Sequence, residues 1–519
     1  MHFLRTLKIG LNQKSNRRKQ FMPNLISNGV IFILNIFLGM WFTPYLIKHL
    51  GVDVYGLVPL TNNVVVYLSL ISLSLNGAVG RYLTIDLENE DYKVANKTFN
   101  TAFWGNIGLS ILTLPIVILI VWLTPIIFDV PEGYERATQI LFFFAMITYL
   151  ISMVRNSFSV SSWTRNRFDL RNIVIGFYQT ARVGFVVVLF SFFIPRLEFV
   201  GIGLIGAAFI GLGGDILVWQ KLTPQLKINF SNFDLGRLKQ LFGMGGWLVV
   251  NQVGSLLFLH VDLIVVNIIL GALDGGKYGA ILLFSTMLRN LGQTISSVIA
   301  PTIVAKYANG KIESVERIST LSVKYLGLFL ALPVGLIAGF ARPLLGVWLG
   351  PDFENLSWLL VILISHLTIN LSVLPLFSIN IAYNKVKWPG IVTLGSGVIN
   401  LLLSLLFASY FGWGMVGVAA AGAIVLTLKN ALFTPIYAAG IQGKHWFSYL
   451  KYFFPSIIIT FLIFSSSYIL SNFFEINSWS GLLFYSLPIF IIFIIFLFLI
   501  IKPSERIYLL GLLPNGKNK

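Results

Sequence analysis

Apolar runs of twenty or more residues recur along this chain from Phe21 to Ile501. At about 1.5 Å per helical residue, each can cross ~30 Å of hydrocarbon. Inside lipid, backbone groups must be satisfied within a helix or a closed barrel. The two-residue alternation of barrel strands is absent, so the runs predict helices. Only 11% of the 519 residues are charged, against ~25% in a soluble domain. The chain cannot cover a water-facing surface of its own size. A soluble enzyme, a disordered chain and a collagen-like repeat are excluded. With no cysteine, disulfides, thiolate metal sites and cysteine nucleophiles are excluded as well.

Fourteen spans are predicted. Six lie at about 22–47, 56–80, 99–128, 137–160, 172–194 and 199–220. Six more lie at about 240–270, 278–303, 320–345, 356–382, 390–411 and 413–438, and two follow at about 452–473 and 479–501. Residues 1–20 form a basic arm carrying Arg5, Lys8, Lys14, Arg17, Arg18 and Lys19, without the apolar stretch and cleavage site of a signal peptide. Of the 37 Lys and Arg, 29 fall in segments on the N-terminal side, five on the other side, and three (Arg182, Arg289, Lys429) inside spans. Asp and Glu divide evenly between the two sides. The positive-inside rule then puts both termini and the tail 502–519 in the cytoplasm. The net charge of +17 is topogenic and calls for no nucleic acid.

The chain repeats itself at an offset near 220 residues. Leu50-Gly51 with Tyr55-Gly56 recurs as Leu270-Gly271 with Tyr278-Gly279; Val200-Gly201-Ile202 recurs as Val416-Gly417-Val418. The halves are 21–223 and 239–440, joined by a cytoplasmic linker 224–238, with 441–501 an appendage of two spans. Six spans per half make the repeat parallel, with a pseudo-twofold axis along the membrane normal, an arrangement in which transporters place substrate between the repeats.

Three stretches carry a family likeness: Leu50-Gly51-Val52-Asp53-Val54-Tyr55-Gly56; Asn76-Gly77-Ala78-Val79-Gly80-Arg81-Tyr82; and Asn384-Lys385-Val386-Lys387-Trp388-Pro389 with Gly397-Val398-Ile399-Asn400-Leu401 and Gly417-Val418-Ala419. With them the chain resembles the polysaccharide-transport branch of the multidrug/oligosaccharidyl-lipid/polysaccharide (MOP) exporter superfamily, which includes Wzx-type O-antigen flippases. The resemblance implies an all-α membrane protein with a two-lobed, twelve-helix core and a central cavity. It implies outward movement of undecaprenyl-diphosphate-linked glycans for O-antigen, capsule or exopolysaccharide synthesis at a bacterial cytoplasmic membrane, with no catalytic activity. Partners would be the lipid-linked oligosaccharide, membrane lipids and the polymerase or glycosyltransferases of the same pathway. A lipid II flippase and a MATE-type multidrug antiporter share the fold. The drug-exporter branch usually has twelve spans and often an acid in the first, where this chain has none between Phe21 and Ile47.

A charge at mid-bilayer costs ~2.5–3.5 kcal/mol on insertion scales unless it is paired or faces water. Arg182 in span five and Arg289 in span eight are therefore candidates to bind an anionic head group, with Lys429 in span twelve; the alternative is ion pairs with Asp215 or Asp262 that only fix packing, and Lys429 could instead snorkel to the interface. Arg81 and Arg155, read as ending spans two and four, could floor a cavity or be ordinary topogenic charges. An offset of 218 carries Asn384 onto Asn166 and Asn400 onto Arg182, so a cation and an amide share one depth in the two fifth spans. Arg can hold a diphosphate bidentately. Asp215, Asp262 and nearby His260 are candidates for coupling to H+ or Na+; no other cofactor is indicated. The G-x-G-x-x-G at Gly201–Gly206 follows no strand and carries no nucleotide site. Gly335 and Gly339 form a GxxxG suited to helix packing.

Overall fold

The computed structural model of the chain describes residues 2–243, 246–500 and 505. Contacts divide it into two units, one ending at Val249 and the next beginning at Val250. The basic side chains of the arm, and the tail apart from Glu505, lie outside the described residues.

The first unit holds α1 (His2–Leu50), α2 (Val52–Glu88), α3 (Tyr92–Ile127), α4 (Glu135–Thr164), α5 (Phe168–Phe192), α6 (Leu197–Leu222) and α7 (Leu235–Gly243). Chain continuity into the second unit runs through α8 (Gly246–Leu259). Then come α9 (Val261–Leu270), α10 (Ala272–Ala308), α11 (Ile312–Gly339), α12 (Ala341–Leu349), α13 (Ser357–Ser365), α14 (Leu367–Ser372) and α15 (Phe377–Ala382). The unit ends with α16 (Lys387–Leu405), α17 (Gly414–Leu428), α18 (Thr434–Ile441), α19 (Phe454–Phe473) and α20 (Trp479–Ile500).

Among the described residues, twelve stretches are long and apolar enough to span, and α8 with α9, bent by 41° at His260, makes a thirteenth. The remaining predicted span is α10. Its 37 residues exceed the length needed, but Asp274, Lys277, Arg289, Asn290 and Lys306 dilute its hydropathy. The chain is thus an all-helical, multi-pass membrane protein. Helices α2 and α3, at 37 and 36 residues, are longer than the apolar runs 56–80 and 99–128 read from the sequence.

Local geometry repeats between the units at the offsets read from the sequence. Gly51 and Gly271 open α2 and α10 with φ of 87° and 95°. In the turn after α2, the amides of Asn89, Glu90 and Asp91 bond the carbonyls of Ile85, Leu87 and Asp86; after α10, those of Asn309, Gly310 and Lys311 bond Ala305, Tyr307 and Lys306. Asn166 and Asn384 each sit at φ 54°. Asparagine tolerates that left-handed conformation better than most residues.

Packing in the first unit centres on Phe99, Phe103, Phe158 and Trp219, with Phe99 stacked on Trp219 at 5.4 Å between ring centroids. In the second unit, Gly335 and Gly339 let α11 approach α19 so closely that a Cβ on them would strike Ile463 and Ser467. The GxxxG is a packing seam, as its spacing suggested.

The stretch 224–238 is folded onto the first unit, where Leu226 and Leu241 are buried in its core. Helices are interrupted within two predicted spans. The seventh bends by 41° at His260; the tenth runs as one apolar stretch, Pro351–Ala382, in which His366 separates α13 from α14 and the 3-10 turn Leu374–Leu376 precedes α15. Two π-helical turns, Leu406–Tyr410 and Lys429–Phe433, interrupt the eleventh and twelfth.

Candidate functional site

In the first unit, Arg155 lies inside α4, which continues to Thr164. Its Nε donates to Asp215 Oδ2 on α6 at 2.9 Å, with both side chains largely buried. The guanidinium lies over Gly211, where any Cβ would overlap it, and 5.1 Å from the Tyr178 ring centroid on α5. Asp215, which the sequence offered either for ion coupling or as a partner for Arg182, is thus taken by Arg155. One turn along α5 from Tyr178, Arg182 has a buried Nε with no hydrogen-bond partner among the described residues, as has Gln179 Oε1. Arg81 also lies within its helix, since α2 runs on to Glu88, and its side chain is exposed.

The second unit gathers more of the predicted residues. Asp262, near the start of α9, is 8% exposed. Its Oδ1 accepts from Asn400 Nδ2 on α16 at 3.0 Å, and its Oδ2 lies 3.4 Å from the Tyr278 hydroxyl on α10. Gly422 on α17 leaves room for that carboxylate. Asp262 is thus held by an amide and a hydroxyl. Asn400, the counterpart of Arg182 in the repeat, is committed to it. Arg289 on α10 donates from Nε to Ser285 Oγ at 3.2 Å. It lies within electrostatic reach of Asp262, His260 and His366. His260 lies at the 41° bend of the seventh span and His366 between α13 and α14, so Arg289 reaches two of the places where helices are interrupted. Broken helices at membrane depth expose backbone dipoles, and they persist where protein or a water-filled cavity satisfies them.

From His366 the polar chain continues. Its Nδ1 lies 2.6 Å from Asn370 Nδ2, which also donates to Thr427 Oγ1 at 3.2 Å. Asn430 Nδ2 donates to the Asn370 carbonyl at 3.3 Å. Beside it, Lys429 opens the π-helical turn and is 8% exposed. Its Nζ stands 5.2 Å from the Phe258 ring and 5.3 Å from the Phe377 ring. The ammonium is held between two aromatic faces and does not snorkel, with no carboxylate within ion-pair distance among the described residues. The second unit thus holds two cations inside its spans, Arg289 within electrostatic reach of the one carboxylate Asp262 and Lys429 between two aromatic rings. Such a charge balance favours an anion with several acceptor oxygens.

His366 and Asn370 were missed in the sequence. Their signal was a polar string, Ser365-His366 to Asn370 and Ser372 before Pro375, inside an otherwise apolar span. Lys324, which the charge count did not single out, is buried in α11 and pairs with Glu505 at 2.9 Å, a carboxylate that also accepts from the Tyr325 hydroxyl.

Comparison with known proteins is consistent with this architecture. Residues 21–307 match the family model described as "Polysaccharide biosynthesis protein". The "Uncharacterized membrane protein EpsK" of Bacillus subtilis (strain 168) is 30% identical over 487 residues, covering 94% of this chain and 96% of that one. Among solved structures, the lipid II flippase MurJ in an inward closed conformation aligns with TM-score 0.62 at 16% identity, over 91% of this chain and 97% of its own. An inward-facing multidrug resistance MATE family transporter of the MOP superfamily aligns with TM-score 0.55 at 14% identity, over 86% and 99%. Identities that low establish the fold alone. The chain belongs to the polysaccharide biosynthesis protein family and is a multi-pass membrane protein with the helical fold shared by MOP flippases and exporters.

Proposed function

We propose that the chain is a flippase that carries an undecaprenyl-diphosphate-linked oligosaccharide across a bacterial cytoplasmic membrane by alternating access, for O-antigen, capsule or exopolysaccharide synthesis. The observation that carries the reading is Arg289 within electrostatic reach of His260 at the bent seventh span and of His366, with Lys429 lacking a carboxylate partner among the described residues. A diphosphate supplies the missing negative charge and enough acceptor oxygens for a bidentate guanidinium. Arg182, with its buried and unpartnered Nε, is the corresponding cation of the first unit. The lipid tail stays in the bilayer, so only the head group and glycan need a polar route. Both termini face the cytoplasm in this reading, and glycosyltransferases and a polymerase act before and after transport.

Outward bias comes from coupling to H+ or Na+, for which Asp262 is the candidate, or from consumption of the glycan outside. Cargo alone cannot shift the balance of two conformations that bind it equally. Asp215 is a weaker candidate because Arg155 neutralises it. A lipid II flippase would use the same chemistry and differ only in its glycan. A multidrug antiporter for cationic amphiphiles would need the opposite charge balance within its spans.

Deleting the gene in its native host tests this directly. The expected result is loss of the surface glycan, accumulation of its lipid-linked precursor inside the cell, and unchanged tolerance to cationic dyes on overexpression. Normal surface glycan together with a broad rise in dye tolerance would establish the antiporter instead.

A further inference from the structure

Residues 225–237 are bound to α3 by side chains that serve the backbone. Asn96 Nδ2 donates to the Gln225 carbonyl at 3.0 Å, and Asn96 Oδ1 accepts from the Lys227 amide at 2.8 Å. Asn100 repeats the pattern, donating to the Lys227 carbonyl at 2.8 Å and accepting from the Asn229 amide at 2.7 Å. Amides four residues apart on a helix are separated by about 6 Å. Two residues of extended chain span about 6.6 Å. The two asparagines thus pair with alternate residues much as a neighbouring β-strand would.

The segment climbs α3 and returns. Gln225 lies at Asn96 and Asn229 at Asn100, and Phe230 meets Trp104 edge-on at 5.2 Å. That ascent is roughly 12 Å along the helix axis. On the way back, the Asp234 amide donates to Thr101 Oγ1 at 3.1 Å. Arg237 then closes the loop on Asp86 at 2.7 Å, with its guanidinium 4.4 Å from the Tyr82 ring centroid. At the apex, Phe230 and Phe233 stack at 6.1 Å. Phe230 is 66% exposed, and Ile228 and Leu235 are exposed beside it. Leu226 alone turns into the core.

Two features need a common cause. A loop in water would not present its aromatic rings outward, and its backbone would be hydrated without help from Asn96 and Asn100. Hydrocarbon explains both, because it accepts the rings and leaves backbone groups to be satisfied by protein. The exposed apolar stripe of α3, from Ile111 and Leu112 onward, begins about two turns beyond Trp104 on the same helix. Exposed Lys227 and Lys239 supply charge for anionic head groups. We propose that residues 225–237 form a hairpin wedge whose apex, Ile228 to Phe233, is embedded in the leaflet on its own side of the membrane, with Asn96 and Asn100 standing in for water along its backbone.

The chain has no cysteine, so single-cysteine labelling reads this directly and requires no transport activity. Phe230→Cys and Ile228→Cys carry an environment-sensitive fluorophore in full-length protein, in vesicles of phosphatidylethanolamine and phosphatidylglycerol. Glu132→Cys, in an exposed loop, is the aqueous control. The expected result is blue-shifted emission at 230 and 228, with several-fold stronger quenching by a shallow nitroxide lipid than by iodide, and the reverse at 132. Iodide quenching at 230 and 228 equal to that at 132 would overturn the insertion. Adding Asn96→Ala and Asn100→Ala should raise iodide access at 230 several-fold. Unchanged access would refute the asparagines' part.

Discussion

Replacing Arg289 by alanine is expected to abolish glycan export while leaving the protein in the membrane. The guanidinium sits on α10 among Ser285, Asp262, His260 and His366. Removing one partner of a desolvated charge-assisted contact costs ~2–5 kcal/mol, which is roughly 30-fold or more in affinity. Arg289→Lys keeps the charge and loses the planar fork, so partial export is expected. The check is surface glycan per folded protein, with protein level and melting temperature measured on the same membranes. Export by a stable Arg289→Ala protein at the wild-type rate would remove Arg289 from the transport path.

The second large effect concerns stability. Asp215→Ala leaves the Arg155 guanidinium buried over Gly211 without the one carboxylate that pairs with it among the described residues. Breaking a buried pair from one side typically costs about 3–5 kcal/mol, so a steep drop in yield and melting temperature is expected. Removing both charges, as Arg155→Met with Asp215→Leu, should recover most of the loss, since apolar replacement of a whole pair is often neutral. The recovered double variant is expected to export. A folded double variant that does not export would show that the pair takes part in transport, and Asp215 would return as a coupling residue.

These expectations depend on contacts that hydropathy and charge counting only partly disclose. Most of the apolar spans, the paired turns at Gly51 and Gly271 and the packing role of Gly335 and Gly339 are written in local patterns: run length, offset and the spacing of small residues. The turn at Asn166 was locatable from Asn384 because both need the same left-handed backbone. What was not legible has one physical root. A cation near the end of an apolar run has the same local signature whether it anchors at the interface or is buried against a distant carboxylate. Arg155 allowed a topogenic reading and Lys324 did not stand out, yet their partners lie 60 and 181 residues away in the chain. The interruptions at His260 and His366 were hidden for a related reason. Each lies in a span whose average hydropathy is high, and the average does not show where a backbone ladder is interrupted. The aromatic cage of Lys429 was not legible because Phe258 and Phe377 come from other spans and read as ordinary apolar residues.

The polarity of α10 gives a sequence-level lesson of wider use. Its 37 residues form a continuous helix, but it fails a test of hydropathy that its neighbours pass. A span that is long enough and too polar has its polar groups satisfied by protein or water. Arg289 is the charge at the centre of that span.

The central claim is that the cations of the second unit hold an anionic head group, and binding measures it without the complications of a transport cycle. Purified full-length protein in nanodiscs is titrated with undecaprenyl diphosphate and, in parallel, with undecaprenol, which has the tail without the phosphates. The account predicts saturable binding of the diphosphate, weakened at least tenfold in Arg289→Ala with Lys429→Ala, and no comparable binding of the alcohol. Equal affinity of wild type and the folded double variant for the diphosphate would contradict it.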